Sequence, residues 1–149
     1  MRLPVTTARL ARASLLLLLV GMLAACSITS VVSGPREWKA ETELVDGTKT
    51  SITVRDTSGR LTNVEINPAG VSANEISNEA PNVVLVPWTA GACDTSTVIE
   101  FAAAGQGLAG ALDITTSGDI CTMQAIPQVL RLTSDAPLPA DQVTLVAAP

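Results

Sequence analysis

Histidine and tyrosine are absent from this chain of 149 residues, phenylalanine occurs once and tryptophan twice. Without histidine the chain lacks the commonest general base and the commonest metal-ligating side chain. Basic residues are also few. Nine Lys and Arg stand against fourteen Asp and Glu, and the net charge is −5. Such a balance excludes the basic face that holds nucleic-acid phosphates. Serine and threonine are plentiful, but no base accompanies them. Lys39 and Lys49 fall in a surface-type hairpin, and neither completes a Ser-x-x-Lys arrangement. Covalent catalysis therefore has little to work with. The length allows a single domain.

What is present begins with an address. Arg2, Arg9 and Arg12 form a positive start, and Leu15 to Val20 is a purely apolar run continued by Gly21, Met22 and Leu23. Ala24, Ala25 and Cys26 follow. This is the order of an export signal, too short for the roughly 20 apolar residues of a membrane span. Arg9 and Arg12 are not adjacent, which argues against a twin-arginine signal.

Leu23-Ala24-Ala25-Cys26 resembles the lipobox of bacterial lipoproteins. The resemblance covers the signal alone. It implies cleavage before Cys26, a thioether-linked diacylglycerol on its sulfur, and an N-acyl chain such as palmitate. It places the product on the extracytoplasmic face of a cell membrane. Two or more acyl chains anchor stably, whereas one is marginal. Cleavage would remove residues 1–25 and with them three of the nine basic residues. All fourteen acids stay, so 124 residues would carry a net charge of −8. Residues 26–36 then form a lipidated start and a tether, about 35 Å long at most. A domain of residues 37–149 would sit close to the lipid.

With Cys26 acylated, Cys93 and Cys121 remain. An even pair in an exported chain reads as a disulfide. Closing a loop of about 29 residues stabilises by about 3.5 kcal/mol on chain entropy. Two thiolates without histidine are too few ligands for a zinc site.

The domain reads as all-β. Trp38, Ala40, Thr42 and Leu44 alternate with Lys39, Glu41 and Glu43, and Asp46-Gly47 marks a turn. Thr50, Ile52 and Val54 alternate next. An odd-length loop keeps both apolar sets on one face and pairs Leu44 with Thr50, Thr42 with Ile52, and Ala40 with Val54. Thr57-Ser58-Gly59 reads as a second tight turn, closed by Asp56 and Arg60 as an opposite-charge pair. It would place Val54 opposite Thr62, Ile52 opposite Val64 and Thr50 opposite Ile66. Residues 38–66 thus predict a three-stranded antiparallel meander. Residues 67–82, punctuated by Pro68, Gly70 and Pro81, suggest a crossover between two sheets, with one helical turn over 73–78.

Further on, Val83 to Val86 reads as a buried strand ended by Pro87-Trp88. Strands follow over Thr97 to Ala103 and at Leu112 and Ile114. Ser117-Gly118-Asp119 predicts a hairpin returning through Ile120 to Gln124. Val129 to Leu132 and Val143 to Val146 complete the series. The expectation is a small antiparallel β-sandwich or barrel of about eight or nine strands with one disulfide.

Three patterns touch on chemistry. Asp94, Glu100, Asp113 and Asp119 could pair as hydrolytic carboxylates. Solvated turn and strand-edge acids explain them as well, and no Asp-x-Asp-x-Asp loop suggests calcium. Gly105-Gln106-Gly107-Leu108-Ala109-Gly110 fits Gly-x-Gly-x-x-Gly literally. The residues after it read as strand rather than helix, which makes it a turn and not a dinucleotide site. Pro87-Trp88 with Cys93-Asp94 admits two readings. Trp88 plugs the core beside a cystine, or Trp88 and Asp94 contact a ligand or partner. Trp38 could touch the lipid interface.

These features point to a non-catalytic, lipid-anchored module of the cell envelope, with no cofactor, no metal and no nucleic acid. Its partner would be another envelope protein or a cell-wall component. The alternative is a carrier that encloses an apolar molecule or lipid in a β-lined cavity of several hundred Å³. A carboxylate- or metal-dependent hydrolase is a third reading.

Overall fold

A computed structural model describes residues 34–43, 47, 49–118 and 124–149. The signal, Cys26, Asp119 and Cys121 lie outside the described residues. Among the described residues the chain forms nine strands. They are β1 (Arg36–Glu43), β2 (Lys49–Asp56), β3 (Leu61–Ile66), β4 (Ser77–Ala80), β5 (Val83–Gly91), β6 (Asp94–Ala104), β7 (Gly107–Thr116), β8 (Ala125–Ser134) and β9 (Val143–Ala147). One 3-10 turn, Ala140–Gln142, precedes β9.

The strands build two sheets, ordered β1-β2-β6-β7-β9 and β3-β8-β5-β4. Ile52, Val54, Ile99, Phe101 and Leu108 of the first are buried in one core with Leu61, Val84, Val86, Leu130 and Leu132 of the second. Each such side chain is worth about 1.5–3 kcal/mol when removed from water. The all-β sandwich follows from the alternation. It is not purely antiparallel, because β2 runs parallel to β6 and β7 parallel to β9.

The β1–β2 connection is odd, as the face argument requires, but the register differs. Thr42 lies opposite Thr50, Ala40 opposite Ile52 and Trp38 opposite Val54. Slipping by two residues keeps every side chain on its face, so the alternation could not fix it.

The meander is a misreading. β3 joins the second sheet, where it pairs with β8, and β2 takes β6 as its other neighbour. The cause is Asp56, 1 % exposed. Its carboxylate accepts hydrogen bonds from the backbone N–H of Ser58 and of Leu61, both at 2.9 Å. The N–H of Thr57 donates to the carbonyl of Phe101 at 2.9 Å. The chain is thereby held in a corner rather than a hairpin. Asp56 does not pair with Arg60, whose guanidinium donates to the carbonyls of Gly105 (2.7 Å) and Gly107 (2.9 Å).

The three glycines of the literal Gly-x-Gly-x-x-Gly have separate packing roles. Gly105 turns the chain at φ +58°, which L side chains rarely adopt. At Gly107 a Cβ would stand 1.8 Å from the carbonyl oxygen of Gln142. Gly110 lies opposite Phe101, whose ring occupies the space a Cβ would need.

Residues 67–76 cross within one sheet, from β3 to β4, rather than between sheets, and the expected helical turn over 73–78 is instead loop and bend leading into β4 at Ser77. Strand β5 does not end at Pro87. It runs on to Gly91 with Val84, Val86, Trp88 and Ala90 facing inward. Pairing with β4 stops at Leu85, so no β4 carbonyl is left waiting for the N–H that Pro87 lacks. The expected hairpin return through Ile120 lies outside the described residues, which resume at Gln124 and enter β8. The neighbours of β7 are β6 and β9, and β8 belongs to the other sheet.

Strand directions give the sandwich two distinct poles. At one, β1 enters at Arg36, beside the connections 57–60, 81–82, 105–106 and 135–142. At the opposite pole lie the connections 67–76 and 92–93, with the ends of β1 and β7 and the starts of β2 and β8.

Candidate functional site

The pole opposite the entry of β1 carries a cleft of about 460 Å³ between the ends of the sheets. Its walls come from three places. Thr42 stands on the inner face at the end of β1. Gln128 occupies an inward position of β8, in phase with Leu130 and Leu132, and is 5 % exposed. The connection after β3 folds over the outer side and covers Val129, also 5 % exposed.

Asn67 ties these parts together. Its N–H donates to the carbonyl of Val129 at 2.9 Å, extending the β3–β8 ladder by one residue. The chain then leaves at φ +50°, a left-handed conformation that Asn tolerates better than most side chains. The Asn67 side-chain oxygen accepts from the Val129 N–H at 3.0 Å. Its Nδ2 donates to Thr42 Oγ1 at 3.3 Å and closely to Gln128 Oε1. One amide therefore bridges both sheets at the mouth of the cleft.

Two buried polar groups stand one strand further in, outside the lining of the cleft. Thr50 is the cross-strand neighbour of Thr42, and Trp88 that of Gln128. They are 1 % and 7 % exposed. Neither Thr50 Oγ1 nor Trp88 Nε1 has a hydrogen-bond partner in the structure. Buried groups of this kind cost about 1–3 kcal/mol when left unpaired.

The contact reading of Trp88 and Asp94 needs correction. Trp88 belongs to the core. Asp94, 4 % exposed, accepts a hydrogen bond from the Gly91 N–H at 2.5 Å and stitches the two-residue corner from β5 to β6. Neither presents a free surface. Trp38 packs partly buried against the core. Asp94 does not join the other acids in a cleft. Glu100 and Asp113 stand exposed on the outer faces of β6 and β7, Glu100 opposite Ala111 and Asp113 opposite Val98. Among the described residues no three acids or cysteines gather as a metal site would require.

Charge is concentrated on the outer faces. Arg55 and Lys39 beside Glu37 hold its carboxyl below its ordinary value of 4.5. Hydrogen bonds to Glu79 and Glu65 raise the pKa of Arg131 above its ordinary value. That guanidinium crosses the second sheet from β3 to β4 (2.7 Å to each carboxylate).

A second cleft, about 640 Å³, lies at the entry pole against Arg60, Gln106 and Ser134 to Leu138. Arg60 is already engaged there by the carbonyls of Gly105 and Gly107.

Asn67, Gln128 and Thr42 escaped the sequence reading. A usable signal existed at Gln128, the polar residue at a core-facing position of an otherwise apolar strand. No protein-family model, curated protein or solved structure matches the chain.

Proposed function

We propose that the protein is a lipid-anchored, non-catalytic binding or structural module on the extracytoplasmic face of a cell membrane. Leu23-Ala24-Ala25-Cys26 carries the reading. The fold supports it, since β1 starts at Arg36, ten residues after Cys26. The tether therefore enters at one pole, and the cleft bridged by Asn67 opens at the other. The buried carboxylates of Asp56 and Asp94 are committed to backbone corners, which favours a binding role over acid–base chemistry. The partner is an envelope protein or a cell-wall component.

A bridge from Cys93 to Cys121 belongs to this proposal. Gly91 lies opposite Ala125 and Asp94 opposite Thr116, so the connection carrying Cys121 departs and returns on either side of Cys93. The Ser117 N–H donates to the Cys93 carbonyl at 2.9 Å.

The carrier reading is less well supported. Core side chains fill the space between the sheets, and both larger clefts open at the surface.

Metabolic labelling with a palmitate analogue, followed by mass spectrometry of the membrane-purified product, tests the anchor. The expected result is a chain starting at an acylated Cys26, with Cys26→Ala unlabelled and released from membranes. An unacylated product starting elsewhere would overturn the reading.

A further inference from the structure

We propose that β9 is the contact strand of a homodimer, in which it pairs antiparallel with the β9 of a second copy about a twofold axis at Leu145. The juxtaposition that carries this is an unguarded sheet edge bearing Val146, the one large apolar side chain left exposed among the described residues, at 61 %.

Among the described residues the two sheets end in four edge strands, β1, β9, β3 and β4. Edge strands invite pairing with other chains, and proteins guard them with charge, bulges or brevity. Three of these edges are guarded. β1 sets Glu37, Lys39, Glu41 and Glu43 on its outer face. β3 carries Glu65 and a bulge between Leu61 and Asn63. β4 is only four residues long, with Glu79 and a bulge between Asn78 and Ala80. β9, Val143-Thr144-Leu145-Val146-Ala147, has no charge, no proline and no register shift against β7.

The free side of β9 is matched to itself. The strand pairs parallel with β7, and the Ala148 N–H just beyond it donates to the Leu112 carbonyl at 2.7 Å. Backbone polar groups alternate in direction along a strand, so Thr144 and Val146 also turn theirs to β7. Those of Leu145 and Ala147 point away, as does the Val143 carbonyl. The Val143 N–H is taken by the Ala140 carbonyl. In the antiparallel pair each Leu145 exchanges N–H···O bonds with its counterpart, and each Ala147 N–H donates to the opposite Val143 carbonyl. On the outer face Thr144 stands opposite Val146 twice over, and these β-branched pairs cover the exposed apolar surface.

Charge selects a second copy as the occupant. The chain carries −5 overall, so copies repel across most of their surface and can touch where no acid faces another. β9 is such a place, and Asp141 lies outside the paired stretch. A charged foreign segment would find no counter-charge on this strand. One patch meeting its own image closes as a dimer and leaves no edge for a third copy. Five residues a side make a small contact, so the pair exchanges with the monomer. β1 and β9 run in the same direction, which sets the two chain starts at opposite ends of the pair. Two lipid tethers would reach one membrane with the joined sheet lying along it.

This inference goes beyond the anchoring proposal and does not depend on it. Sedimentation of the full chain in density-matched detergent reads dimerisation whether or not Cys26 is acylated, so the two can fail separately. The parent should show a concentration-dependent dimer. Thr144→Lys,Val146→Lys sets lysine opposite lysine at exposed positions and should weaken the dimer about tenfold or more. Thr144→Glu,Val146→Glu should do the same, and mixing the two variants should restore a dimer. In the parent, the Leu145 and Ala147 amides should exchange slowly when concentrated and fast on dilution, with the Val146 and Ala148 amides unchanged. That measurement decides the matter even if neither double variant folds. A parent that stays monomeric across the micromolar range would overturn the proposal. So would a dimer that survives the lysine variant, a mixture that stays monomeric, or Leu145 and Ala147 amides indifferent to dilution.

Discussion

Single atoms decide much of this fold. A methyl group at Gly107 would meet the Gln142 carbonyl at 1.8 Å, whereas one at Gly34 would meet nothing within 4 Å. Gly107→Ala should therefore destabilise the domain by about 1–3 kcal/mol, the usual range for overpacking, with Gly34→Ala close to neutral. Urea unfolding followed by Trp88 fluorescence would measure both. Glu37 offers a pH-dependent case. Its carboxyl titrates below its ordinary 4.5 because Arg55 and Lys39 favour the charged form. Its contribution is thus fully present above the unfolded value and fades as pH falls through the lower folded value. The stability gap between the parent and Glu37→Gln should close on acidification below 4.5, and salt should narrow it at neutral pH. A gap independent of pH would contradict the assignment.

At the scale of strands, the Arg131 guanidinium joins β8 to β3 and β4 across the outer face. Asn78 adds a second tie. Its Nδ2 donates to the Leu138 carbonyl and its Oδ1 accepts from the Ala140 N–H, both at 2.8 Å. Arg131→Met should speed amide exchange in β4 while leaving the central β5–β8 ladder protected, as resolved by hydrogen-exchange mass spectrometry. Most strands were legible in the sequence, and a period of two exposes the core face of β1 and β2 directly, whereas β5 showed only as the apolar run Val83–Val86 and β4 not at all. Their neighbours were not. Val64 faces the core equally well as a hairpin partner of β2 or as a member of the opposing sheet. A bulge between Leu61 and Asn63 also resets the phase of β3. What settles the matter is a buried carboxylate at position 56, and nothing in the run Asp56-Thr57-Ser58-Gly59 separates a corner from a turn. The cleft was hidden for the same reason. It is assembled from β1, β8 and the end of β3, which are far apart in the chain, and only Gln128 advertised it locally.

For the whole molecule, the two-residue corner at Ala92-Cys93 joins the two sheets at the far pole, and the Ser117 N–H donates to its Cys93 carbonyl. The proposed Cys93–Cys121 bridge would add a covalent tie at this corner. Cys121→Ser or reduction should then lower stability by up to about 3.5 kcal/mol, the loop-entropy figure, with Cys93→Ser,Cys121→Ser no worse than either single change. Thermal unfolding with and without reductant reads this directly. An unchanged midpoint would exclude the bridge.

The two-pole arrangement also dictates how the domain would carry a mechanical load. Held through the start of β1 and pulled by a partner at the opposite pole, it is stretched along its strands. The β1–β2 ladder from Arg36 opposite Asp56 to Glu43 opposite Lys49 lies across that direction, as antiparallel hydrogen bonds do. The rungs share the force together instead of tearing one after another. A tethered module built this way resists being dragged from its outer end far better than a hairpin peeled from its tip.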